Sequence, residues 1–185
     1  MNPQSNSELS IRVVVVNESG FIREGLCRVI ERFKDIKVVA SISDSHRLSE
    51  IAQQVHADVV LIDAQFPSQE GFEATQRLRE SGGITRVVFL SINPSLTEVK
   101  RALEAGANGF LLREAGVSEL EIALQAAVEG KIFLCPTILK RLSKVLDIEE
   151  LPKGERFSIN AAQGRYSIDD IISKALRLGI PQQEQ

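Results

Sequence analysis

Two rhythms of apolar residues alternate along the chain. Ile11–Val16 is β-branched at every position except Arg12, the mark of a strand covered on both faces. Ser19 then offers an N-cap, and Ile22, Leu26, Val29, Ile30 and Phe33 recur at helical spacing. Lys37–Ile42 reads as a second strand, and Leu48, Ile51, Ala52 and Val55 form the stripe of a second helix. Asp58–Asp63 is a third strand. Pro67 and Gly71 punctuate a loop before Phe72 to Leu78 continue as a helix. Arg86–Ile92 is a fourth strand. Ser95 with Glu98 makes a capping box ahead of Val99, Ala102 and Leu103. Gly106 and Gly109 end that helix and lead into a short fifth strand, Gly109–Leu112. Ser118 with Glu121 predicts a second capping box, ahead of Ala123, Leu124, Ala127 and Val128, and Gly130 stops that helix.

Strands that each precede a helix predict an α/β fold with a parallel sheet, helices on both faces and right-handed crossovers. Five such units suit a doubly wound five-stranded sheet in the order 2-1-3-4-5. Residues 1–10 read as a flexible N-terminus and residues 11–135 as the sheet domain. An additional helix is expected over 136–150, opened by Pro136 and carried by Ile138, Leu142, Val145 and Leu146. Residues 151–166 read as a linker or loop. A C-terminal helix over 167–180 is capped by Ser167 and ended by Gly179 and Pro181, with Ile168, Ile171, Ile172 and Leu176 on one face.

Composition narrows the function classes. The chain has 185 residues with 43% apolar and 25% charged positions, ordinary globular values, and a net charge of −3. That balance argues against a strongly basic nucleic-acid coat or a polybasic membrane binder. No apolar run approaches the roughly 18 residues that span a membrane, and Met1 to Leu9 has no apolar signal core, so a cytoplasmic protein is expected. Cys27 and Cys135 lack metal or CxxC spacing and read as small apolar side chains in a reducing compartment. His46 and His56 stand apart from any metal or catalytic constellation.

In such a sheet, ligands sit outside the carboxyl ends of the strands, where the winding reverses. The residues leaving those ends are Asn17 and Glu18, Asp63, Ser91 and Arg113. Carboxylates at the rim suit a hard cation such as Mg²⁺. A carboxylate can also accept a phosphoryl group as an aspartyl-phosphate. Arg113 could neutralise that phosphate, and Ser91 could donate a hydrogen bond to it. Arg113 could instead pair with Asp63 or Glu18 as a standing salt bridge that mimics the occupied pocket.

At these residues the chain resembles the receiver domain of two-component response regulators, a flavodoxin-like fold. It is most similar to receivers that precede LuxR-type DNA-binding domains. The matching stretches are FIREGL at 21–26, ADVVLIDAQFP at 57–67, FEATQRL at 72–78 and RALEAGANGFLLREA at 101–115. The resemblance implies that Asp63 is the phosphoacceptor, Ser91 the switch hydroxyl and Phe110 the switch aromatic; Phe110 also reads as core. It implies a weak Mg²⁺ site at Glu18 and Asp63, with Asn17 lining the pocket and Arg113 binding phosphate. Two positions depart from the family pattern. The acidic pair after strand one is Asn17-Glu18, which removes one charge from the metal site. The customary Lys near the end of strand five is Arg113, whose planar fork differs in reach from an ammonium.

The expected function is that of an atypical receiver in phosphorelay-type signal transduction, working through protein–protein contacts and without enzymatic turnover. Its implied partner is a sensor histidine kinase or another signalling protein. A DNA-binding transcription regulator and a phosphorylation-independent interaction module are the alternatives. After Glu150 the charges nearly cancel and one clear helix is offered, so a LuxR-type DNA-binding domain is not expected there. The apolar face of the 167–180 helix needs a cover, and a homodimer is expected to supply it.

Overall fold

Strands and helices alternate through the computed structural model, which describes residues 10–63 and 70–145. The order is β1 (Ile11–Val16), α1 (Gly20–Ile30), β2 (Ile36–Ile42), α2 (Leu48–Gln54), β3 (Val59–Asp63), α3 (Glu70–Glu80) and β4 (Arg86–Ser91), continuing through α4 (Leu96–Glu104), β5 (Gly109–Leu112), α5 (Val117–Val128), β6 (Phe133–Leu134) and α6 (Pro136–Val145). Every described strand pairing is parallel. The sheet runs β2-β1-β3-β4-β5-β6, so the winding reverses between β1 and β3 as expected.

Burial follows the strand positions. Val13–Val16 of β1 and all five residues of β3 are buried, because both strands lie inside the sheet under helices on either face. The edge strand β2 is mostly half-exposed. The core continues through Phe89, Phe110 and Leu111 to Ile138, Leu139 and Leu142 of α6.

Three expectations need correction. Among the described residues the sheet has six strands, because Phe133–Leu134 pairs with Gly109 and Phe110 at the far edge. A two-residue strand is too short to show alternation, so nothing in its apolar pattern distinguishes it from a loop. The second correction concerns α5. It begins at Val117, with Gly116 at the N-cap and no side-chain cap, so Ser118 lies inside the first turn. Glycine is tolerated at an N-cap, and here it displaces the more familiar serine signal by two positions.

Third, Gly71, expected in the loop, lies inside the first turn of α3, while the start signals of α1 and α4 and the stopping glycines Gly106 and Gly130 hold. The Ser19 hydroxyl accepts from the Ile22 amide, and Ser95 with Glu98 forms the full capping box of α4. Three helices close with paired backbone bonds of the Schellman type. In α4, Gly106 donates to Leu103 and Ala107 to Ala102; in α5, Gly130 donates to Ala127 and Lys131 to Ala126. Both glycines have positive φ. At the end of α2 the same left-handed position is held by His56, with φ 47°. The expected linker over 151–166 and helix over 167–180 lie outside the described residues, as do Pro67 and most of the N-terminal segment.

Candidate functional site

Register alone assembles the rim. Val16 pairs with Ile62, so Asn17 leaves β1 level with Asp63 at the end of β3. Asp63 pairs with Leu90, one residue before Ser91 ends β4. Ser91 pairs with Leu112, and Arg113 follows at once. The Arg113 amide donates to the Ser91 carbonyl at 2.7 Å and closes that corner of the rim. Four residues spread over 97 positions of sequence are thereby delivered to one edge.

Asp63 is only 5% exposed, and its Oδ2 is claimed twice. The Asn17 side-chain amide donates to it at 2.5 Å, and the Arg113 guanidinium forms a hydrogen-bonded ion pair with the same oxygen. Asn17 is buried too, and its Oδ1 accepts from the Ser19 amide at 2.8 Å. That second bond fixes the amide orientation and presents the NH₂ group to Asp63. Burial pushes the Arg113 guanidinium below its ordinary pKa, because the site strips water from a cation. Arginine nonetheless stays charged at any working pH. Its Nε is buried and has no hydrogen-bond partner among the described residues.

Glu18 behaves differently from its neighbours. It is exposed, and among the described residues its carboxylate makes no hydrogen bond or ion pair. Arg23 instead grips the backbone of this turn, donating from Nη1 to the carbonyls of Asn17 at 2.7 Å and Glu18 at 3.4 Å. The position of Arg23 on the first turn of α1 is the only sequence trace of that role. Ser91 is buried at the end of β4. Phe110 is fully buried and stacks on Phe89 with ring centroids 5.9 Å apart; Phe89 in turn meets Phe72 at 5.3 Å. His46 and His56 are at the surface, with His46 Nε2 4.0 Å from a Glu70 carboxylate oxygen.

This donor set does not fit a tightly held Mg²⁺. A hard dication wants several oxygen ligands. Here one Asp63 oxygen already faces a guanidinium and an amide, the Asn17 oxygen is committed to a backbone amide, and Glu18 stands in solvent. Among the described residues no group of three or more His, Cys, Asp or Glu could hold a metal. The geometry instead balances the buried carboxylate with the chain's own cation.

The family model described as the response regulator receiver domain matches residues 13–125. The transcriptional regulatory protein DegU of Brevibacillus brevis is 31% identical over 144 residues, covering 78% of this chain and 61% of that protein. The response regulator GacA of Pseudomonas viridiflava is 29% identical over 133 residues, covering 72% and 62%. The chain thus spans about three fifths of the length of these relatives. Among solved structures, a LuxR-family two-component response regulator from Aurantimonas sp. SI85-9A1 superposes with a TM-score of 0.69 at 27% identity. That match covers 73% of this chain and 96% of the other.

Proposed function

The chain belongs to the response regulator receiver family, and from that premise we propose an atypical receiver whose output is protein–protein contact in phosphorelay-type signalling. Asp63 takes the phosphoacceptor position, Ser91 and Phe110 the switch positions, and Arg113 the place of the phosphate-binding cation. The observation that carries the reading is the ion pair between Arg113 and Asp63 with the Asn17 amide on the same oxygen. Phosphoryl transfer to Asp63 needs a carboxylate oxygen to attack phosphorus while the donor's P–O or P–N bond breaks. A guanidinium paired with one oxygen of that carboxylate lowers its nucleophilicity. Charging of Asp63 is therefore slow. The upstream partner is a sensor histidine kinase or another signalling protein, met in the cytoplasm.

Incubation with acetyl phosphate and Mg²⁺, followed by intact-mass measurement, tests this. The unaltered chain is expected to take up little phosphate, whereas Asn17→Asp combined with Arg113→Lys takes up substantially more. Rapid, complete charging of the unaltered chain would overturn the proposal. Uptake by neither chain favours the phosphorylation-independent interaction module. A second reading follows from the names of the relatives, several of which are transcriptional regulators. A gel-shift series at rising salt separates it, since phosphate-backbone binding weakens steeply as salt rises.

A further inference from the structure

We propose that α6 is an intramolecular strap that sets the position of the β4–α4 loop, residues 92–95, with Arg141 as its tether. The loop begins where Ser91 ends β4 and stops where Ser95 caps α4. Its neighbours Ile92, Asn93 and Ser95 are exposed, but Pro94 is buried. The first bond of the helix uses the Ser95 carbonyl, which accepts from Val99 at 3.2 Å, so the Pro94 carbonyl lies outside the helix ladder. A buried carbonyl left without a partner is costly. Arg141 supplies the partner, donating from Nη1 to the Pro94 oxygen at 2.8 Å across 47 positions of sequence.

The strap is anchored at its other end as well. The Cys135 amide donates to the Phe110 carbonyl at 3.2 Å, and Leu139 donates to Cys135 at 3.1 Å, so α6 starts right after β6, the strand paired to β5 and its Phe110. Ile138, Leu139 and Leu142 are buried along its inner side. A continuous path therefore runs from β5, through β6 and α6, back to the loop that follows Ser91. An outward shift of that loop must either break the Arg141 bond or carry α6 with it. By reciprocity, loosening α6 frees the loop. The inference stands whether or not Asp63 accepts phosphate, because none of the contacts it rests on involves Asp63 or Arg113.

Hydrogen exchange followed by mass spectrometry on the full chain tests it. In Arg141→Ala, the amides of residues 92–96 are expected to exchange about tenfold faster, the loss of one hydrogen bond from a charged donor. Exchange in β1 and β3 stays as in the unaltered chain. Arg141→Lys keeps a cation and the aliphatic stem and recovers part of the protection. It also provides the measurement should the alanine variant fold poorly. Unchanged exchange over 92–96 overturns the proposal, as does an equal rise throughout the sheet.

Discussion

Asp63 places a carboxylate where only 5% of the residue meets solvent, and the partner that balances it lies 50 positions further along the chain. Removing one half of such a pair strands the other, and stranding costs more than the pair gains. Arg113→Ala is therefore expected to lower stability by about 1–3 kcal/mol, less than for a fully buried pair because the arginine side chain is one-fifth exposed. Asp63→Asn in the same background removes the stranded charge and recovers part of that loss. Urea denaturation of the two single variants and the double variant reads the coupling. Strict additivity would show that the ion pair contributes nothing. The rim residues themselves were legible from their positions at strand ends. Their contacts were not: both a salt bridge and a phosphate site were compatible with Arg113, and only the fold brings its guanidinium onto Asp63. Glu18 shows the converse. Its place in the motif suggested a ligand, yet the turn held by Arg23 leaves its carboxylate in water.

Helix ends and strand contacts decide more than propensity does at the scale of elements. His56 occupies the left-handed closing position of α2, where L side chains are strained and where α4 and α5 use Gly106 and Gly130. His56→Gly is expected to raise stability by about 0.5–1 kcal/mol. A rise of a few degrees in the thermal midpoint is the reading, and a fall would show that the imidazole contributes more than its backbone strain costs. Gly109 presents the opposite case, where space and not φ requires the glycine. A Cβ there would come within 3.2 Å of a Val88 methyl and 3.3 Å of the Phe133 carbonyl. The carbonyl belongs to the neighbouring strand and cannot turn aside, so Gly109→Ala should cost about 1–3 kcal/mol and loosen β6. Cys135 reports that loosening. Burial raises its thiol pKa and keeps it as an unreactive thiol at neutral pH, with Cys27 shifted in the same direction but less enclosed. Labelling with iodoacetamide should therefore modify Cys27 first. In Gly109→Ala, Cys135 should react faster than in the unaltered chain; equal rates would mean that β6 does not feel the substitution.

The whole chain has a mass of 20.4 kDa and a net charge of −3. The apolar face that the pattern predicts for residues 167–180, outside the described region, carries the expectation of a second copy as its cover. Light scattering should give twice 20.4 kDa for the full chain and a lower mass for a chain ending near Glu150. A monomer at high concentration refutes the dimer. An unchanged dimer after truncation assigns the interface to the sheet domain or to α6. Among the described residues, no helix is long and apolar enough to cross a membrane.

Local pattern was enough to specify the alternation of strands and helices, the parallel sheet with its reversal between β1 and β3, and the set of residues at the strand ends. Those properties follow from local periodicity and from the few ways in which buried strands and amphipathic helices can pack. The motifs of the chain were also sufficient to indicate the family. Tertiary structure decided the sixth strand, the Gly116 cap of α5, the ion pair between Asp63 and Arg113, the solvent position of Glu18 and the bond from Arg141 to Pro94. Each of these depends on partners brought together from distant positions or on a choice between signals of similar strength. A hydrogen bond across 47 or 50 positions leaves no trace in local pattern, because its energy exists only once the sheet has set the register that joins its ends.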